Sequence, residues 1–192
     1  MKKILIAASL LLSCLSAKAQ FVIGGGYCNN NTEAKLAKVE TGRSVKNGVF
    51  VEIGYDKPVT RHTSIMLLPE FGRYFCEGNR MYTKVPVQAK YIFAADSDLK
   101  LFIYGGPLFY FTLAKNSSDS FDFSYDDMLL KRYNVYLGAG LGAEIHKHLR
   151  LKIGYDADIL NEYIDDMAQQ WDGVPLRTSY STDFTFGLAY VL

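Results

Sequence analysis

The three histidines, His62, His146 and His148, are the first residues to test for chemistry. Imidazole is the usual acid–base group near neutrality and a common metal ligand. His146 and His148 form an H-x-H pair, but two ligands fall short of the three that a catalytic zinc site holds. No nucleophile is placed to pair with any of the three, so the sequence points to no catalytic residue, no cofactor site and no metal site. The glycines of Gly24-Gly25-Gly26 and Gly138, Gly140 and Gly142 are not phosphate cradles, because no helix follows them. Facing an interior, they would make room for large neighbours such as Tyr104 and Tyr136 or let a sheet bend.

Two other groups of residues carry chemical potential. One is a set of charges spaced at every second residue among apolar ones: Lys84, Lys90, Lys100, Arg132, Arg150 and Lys152 against Glu52, Glu70, Glu144, Asp156, Asp158 and Asp183. Six against six near cancellation suits a salt-bridged interior, whereas unpaired ions there would be costly. The other group mixes acids with aromatics in two polar stretches. Phe121, Phe123, Tyr125, Asp126 and Asp127 lie in 114–131; Tyr163, Asp165, Asp166 and Trp171 lie in 160–179. Such a mixture suits a divalent cation, lipopolysaccharide bridged by one, or a protein partner. The plainer reading is a solvated loop with its aromatics folded onto a rim.

The elements that position these residues are strands. In Tyr133–Ile145 the odd residues are apolar throughout, while the even ones are polar or glycine. A strand sends alternate side chains to opposite faces, so the segment separates two solvents. Seven more segments repeat the pattern: Gln20–Cys28, Val49–Tyr55, Ser64–Phe75, Tyr82–Phe93, Leu99–Leu113, Leu149–Ile159 and Tyr180–Leu192. The charges fall on the face opposite the apolar one, and Arg73 is the outward exception. Connections after the second, fourth and sixth segments are short (56–63, 94–98 and 146–148). Those after the first, fifth and seventh are long and polar (29–48, 114–131 and 160–179), and only 77–81 breaks that series. Short turns on one side and long loops on the other are the plan of an outer-membrane barrel with its turns in the periplasm. The spacing therefore predicts an all-β, eight-stranded antiparallel up-and-down transmembrane β-barrel. Eight strands leave an interior that side chains fill, which disfavours a general diffusion pore.

The N-terminus reads as an export signal. Lys2 and Lys3 precede the apolar run Ile4–Leu12, and Ala17-Lys18-Ala19 offers a small-x-small cleavage site. This divides the chain into a signal peptide, 1–19, and a barrel, 20–192. A rival cleavage box, Leu11-Leu12-Ser13-Cys14, would instead make Cys14 an acylated residue. Cleavage after Ala19 removes three of the 21 basic residues and leaves 173 residues with 18 basic against 20 acidic. That balance gives nucleic acid no basis as a partner. The mature chain has no apolar run of about 20 residues, so helical spans are excluded. Cys28 and Cys76 remain in an oxidising compartment, just past strands that run in the same direction. A disulfide between them is open if the loops bend to bring the sulfurs together.

Tyr82-Thr83-Lys84-Val85-Pro86-Val87-Gln88-Ala89-Lys90-Tyr91 resembles the x-x-x-[IV]-P-[LV]-x-x-K-Y strand of the outer membrane protein beta-barrel domain family, the porin-like or PorT-type small barrels. Tyr104-Gly105-Gly106-Pro107, Gly138–Glu144 and the aromatic C-terminal strand are similar to later parts of that pattern. The chain departs from it in ending on Leu192, with Tyr190 two before, rather than on an aromatic. The resemblance implies an integral bacterial outer-membrane location, lipid and lipopolysaccharide as surroundings, and no defined activity for most members. Small barrels include lipid A-modifying enzymes, but all three histidines fall in predicted periplasmic turns, away from the outer leaflet. The functional expectation is a non-enzymatic barrel that acts in envelope structure or surface interaction through its extracellular loops. The alternatives are a narrow porin-like channel and a secreted lipocalin-like carrier, the latter requiring polar outward faces and an apolar lumen.

Overall fold

The computed structural model describes residues 19–36, 39–75, 81–93, 98–114, 133–146, 148–159 and 178–192. Nine strand elements are present among the described residues: β1 Gln20–Leu36, β2 Val39–Pro58, β3 Thr63–Leu67, β4 Glu70–Phe75, β5 Met81–Ile92, β6 Leu99–Ala114, β7 Tyr133–Ile145, β8 Leu149–Asp158 and β9 Thr178–Val191. β3 and β4 are two halves of one wall strand, because both pair with β2 and with β5 in unbroken register. The remaining strands pair with their sequence neighbours, and β1 joins β9 to close the ring. The result is an all-β, eight-stranded antiparallel up-and-down barrel.

Two solvents account for the burial pattern. Along β8 the residues alternate strictly, with Leu149, Ile153 and Tyr155 exposed and Arg150, Lys152 and Asp156 buried. The outward residues form an apolar belt whose height on β8 is roughly 25 Å for a strand tilted ~40°. This is the reverse of a lipocalin-like carrier, whose apolar side faces inward. Aromatics mark the belt's turn end, where Phe21 packs edge-on against Tyr55 at 5.5 Å and Tyr91 against Phe93 at 5.4 Å.

The segment 29–48 departs from the expected long loop. β1 and β2 stay paired from Gln20↔Asp56 to Leu36↔Val39, and β9 follows β1 up to Lys35↔Thr178. Beyond the belt the outward face meets water while the inward face stays buried but polar, with Asn30, Thr32 and Ser181, so the apolar period vanishes while the hydrogen-bond ladder continues. The outer face there is polar: Tyr27 and Asn29 donate to Asn47 Oδ1 at 2.5 and 2.7 Å, and Arg43 donates to Asn31 at 3.0 Å.

Three prolines interrupt the ladder in consecutive wall strands. Ile53 N donates to Pro69 O at 3.1 Å, so 53 and 69 form a hydrogen-bonding pair, yet Pro69 has no N–H to return. The same alternation, fixed by Ile92 N to His62 O and Phe93 N to Leu101 O, makes Leu68 opposite Pro86 and Val87 opposite Pro107 hydrogen-bonding pairs too. The carbonyls of Ile53, Leu68 and Val87 therefore each face a residue that cannot donate.

Candidate functional site: the charged lumen

The strand alternation sends every second residue into the lumen, and side chains fill it. Arg150, Tyr74, Tyr82, Tyr136, Lys84 and Phe102 are the largest that are fully buried. Glycine on one strand makes space for a ring from its neighbour. A Cβ on Gly140 would lie 2.5 Å from Tyr104 Cζ, one on Gly142 2.2 Å from Phe102 Cζ, and one on Gly72 2.2 Å from Tyr82 Cζ. The expected pairing of lumen glycine with Tyr104 is thus a direct contact.

At the turn end Val22, Met66, Leu68, Phe102, Ala189 and Val191 form an apolar floor. Above it sits a quartet of charges from four strands. Arg150 Nη2 contacts Glu144 at 2.6 Å and also bonds Asp56 Oδ2; Lys90 Nζ contacts Glu144 at 2.8 Å and bonds the same Asp56 oxygen. Phe102 lies beneath both cations, 5.2 Å from Lys90 Nζ and 5.7 Å from Arg150 Cζ. Two cations meet two carboxylates, so this cluster is neutral.

One level up, Lys152 serves two glutamates, bonding Glu52 Oε2 and standing 3.7 Å from Glu70 Oε1. A further level up, Lys84 holds Asp156 at 2.9 Å and Asp183 at 2.6 Å. Asp183 also accepts from Asn30 at 2.6 Å and from the Tyr74 hydroxyl at 2.9 Å. A tyrosine layer closes this part of the lumen, with ring centroids 4.6 Å apart for Tyr74–Tyr82, 5.4 Å for Tyr82–Tyr110 and 5.5 Å for Tyr110–Tyr136.

The lumen departs from the expected six-against-six balance. Among the described residues, Lys84, Lys90, Arg150 and Lys152 are the cations that are at least nine-tenths buried. They face seven carboxylates: Glu52, Asp56, Glu70, Glu144, Asp156, Asp158 and Asp183. Lys100 is half-buried, level with Glu144 near the turn end, and Arg132 lies outside the described residues. Asp56 is the residue that sequence reasoning missed. It looked like the start of a turn, but β2 runs on to Pro58 and keeps it in phase with Phe50, Glu52 and Gly54.

The other candidates fall at the ends. Cys28 is a free, buried thiol whose sulfur lies 3.2 Å from the Tyr82 hydroxyl. The bridge considered for it is therefore not formed; the strand continues past Cys28 and turns the thiol into the lumen, not toward a loop. Cys76 itself lies outside the described residues, as do residues 1–18 with Cys14, and Phe121, Phe123, Tyr125, Asp126, Asp127, Tyr163, Asp165, Asp166 and Trp171. His62 and His148 extend the aromatic belt. Each donates its Nδ1–H at 3.0 Å to a backbone carbonyl, of Ile92 and Val191 respectively. Each also stacks on a tyrosine, Tyr91 at 6.1 Å and Tyr190 at 5.4 Å. His146 sits in the tight turn with φ 51°.

An apolar belt around a charged, filled interior is the signature of a small barrel built for lipid, and comparison with known proteins agrees. Residues 79–161 match the outer membrane protein beta-barrel domain family. This chain is a small bacterial outer-membrane β-barrel, similar to that family over those residues. Among solved structures it is similar to Neisserial surface protein A, with 14% identity over 90% of this chain and 97% of that one and a TM-score of 0.52. It is also similar to the outer membrane protein OprG of Pseudomonas aeruginosa (8% identity, 91% and 96% covered, TM-score 0.43). Ail, the attachment invasion locus protein of Yersinia pestis, gives 13% identity, 91% and 99% covered, and a TM-score of 0.43. No curated protein sequence matches the chain.

Proposed function

We propose that this barrel is a non-enzymatic outer-membrane protein, exported with residues 1–19 as its signal peptide, that acts in envelope structure or surface interaction through its extracellular part. The observation that carries this reading is the filled lumen. Its floor, charge clusters and tyrosine layer lie one above another, leaving the surface beyond the membrane as the place where function resides. The polar wall formed by 29–36, 39–47 and 178–183 supports it, because this wall carries the barrel's surface past the apolar belt. The acidic-aromatic segments 114–131 and 160–179 would add the contact residues, with lipopolysaccharide or a surface protein as partner.

The test is a pair of loop deletions, 115–131 and 161–177, in cells that export the barrel. Loss of surface-partner capture or of envelope integrity, with heat-dependent gel mobility unchanged, is the expected outcome. Intact capture and integrity in both deletions would remove the surface reading. Single-channel recording of the purified barrel addresses the narrow channel, and regular unitary currents would favour it instead.

A further inference from the structure

The three charge clusters are not equivalent. The Asp56–Glu144–Lys90–Arg150 quartet is neutral. Asp156 and Asp183 share one ammonium, but neutral donors from Asn30 and Tyr74 satisfy Asp183. Glu52 and Glu70 have no such help. They are directly opposed on neighbouring strands, in the pair where two lumen side chains come closest. Both are more than nine-tenths buried. Lys152 is the cation that reaches both, and Glu52 Oε1 and Glu70 Oε2 are left buried without a hydrogen-bond partner. Lys84 is level with Glu70 in register, yet its ammonium is committed to the two aspartates.

Two carboxylates against one ammonium leave one uncompensated negative charge in a buried interior, which is costly unless a counter-charge enters. We propose that Glu52 and Glu70 form a binding site for one small monovalent cation of the sodium class, held by Glu52 Oε1 and Glu70 Oε2. One unit of charge is what the site lacks. A divalent ion would overshoot it, and no group of three or more histidine, cysteine or acidic side chains suited to a metal occurs among the described residues. A proton can occupy the same oxygens, so sodium and protons compete. The other titratable and charged groups around the pair are Lys152, Asp156 and Arg150 from β8, Lys84 and Tyr82 from β5, Tyr104 from β6 and Cys28 from β1, with Asp183 of β9 behind Lys84.

The test uses the full mature barrel refolded in detergent. Its thermal unfolding midpoint is followed while sodium chloride replaces choline chloride at constant ionic strength, in mildly alkaline and mildly acidic buffer. Sodium should raise the midpoint in alkaline buffer and do so less in acid. Above its dissociation constant, each tenfold rise in sodium should lower the unfolded fraction about tenfold. Glu70→Gln and Glu52→Gln should each abolish the sodium response while keeping the fold, since each removes the surplus charge and leaves Lys152 a partner. Sodium-23 line broadening by the wild-type barrel, lost in E70Q, gives a reading that does not depend on stability. Equal effects of sodium and choline would overturn the proposal. So would a midpoint that follows pH alone, or a sodium response that survives both substitutions.

Discussion

Asp56→Asn is the sharpest probe of the lumen, because sequence pattern and structure disagree about this residue. A turn residue would tolerate the change within about 0.5 kcal/mol. In the structure Asp56 is fully buried and one of its oxygens binds both Arg150 and Lys90. Each such contact contributes roughly 5 kcal/mol of attraction at an effective dielectric constant of about 20. Desolvation of the carboxylate and its repulsion with Glu144 offset much of that. What remains after the substitution is a quartet reduced to two cations and one carboxylate, and stranding a buried charge in this way costs about 3–5 kcal/mol. The isosteric amide leaves packing unchanged, so the loss reports charge. Urea unfolding of the refolded barrel in lipid vesicles measures it, with a lowered midpoint at unchanged slope. Adding Lys90→Met should restore part of the loss, giving a coupling energy of at least about 1 kcal/mol between the two sites. A single mutant within about 0.5 kcal/mol of wild type, or strict additivity with Lys90→Met, would refute the buried quartet.

Three further substitutions probe the wall by the same unfolding assay. Pro107→Val supplies the N–H that Val87 O lacks and should stabilise the barrel by about 1–3 kcal/mol; no gain would mean that this carbonyl is satisfied some other way. Gly140→Val would place a Cβ 2.3 Å from Ile153 O and 2.5 Å from Tyr104 Cζ, and should destabilise by at least about 1–3 kcal/mol with reduced folding yield. Ile153→Arg puts a charge near the middle of the lipid-facing side of β8 and should cost about 2–4 kcal/mol in vesicles, whereas a water-facing position would show almost no change.

The part of the fold legible in the sequence is the part that separates two solvents. Along Leu149–Ile159 or Tyr133–Ile145, lipid on one side and a packed lumen on the other impose a period of two that no loop would keep. The facing of Glu144 and Arg150 across the tight turn follows from that period and the turn position alone, and the structure places them level. Where the outward face leaves lipid for water and the inward face turns polar, the apolar period disappears although the strand does not. For that reason 29–48 reads as a loop, whereas 29–36 and 39–48 pair as antiparallel strands. Asp56 was hidden for a related reason: Lys57 and Pro58 mimic a turn. The usable signal was phase, since the even positions from Phe50 through Asp56 continue one lumen face. Neither the surplus of buried carboxylate nor the line of three prolines can be read from single strands. Both depend on which residues become neighbours, and only the register of adjacent strands decides that.

Those two register-dependent features meet in one stretch of wall. Ile53 and Pro69, the first pair with a missing ladder bond, are flanked by Glu52 and Glu70, the pair with the missing cation. The next two interruptions fall between the β3–β4 strand and β5, and between β5 and β6. A backbone carbonyl without its donor is costly in a lipid-embedded wall, so this side of the ring, from β2 to β6, is held less firmly by its ladder than the rest. The lumen ion pairs do not follow the ladder. Lys90 of β5 reaches Asp56 of β2 across the whole β3–β4 strand, and Glu144 of β7 across β6. Lys152 of β8 reaches Glu52 and Glu70 from the opposite wall. Each of these bridges joins strands that are not neighbours, and together they brace the barrel where its ladder is interrupted. On this account the charges are cross-braces before they are anything else. A cation seated between Glu52 and Glu70 would complete the brace in which each carboxylate keeps one oxygen without a partner.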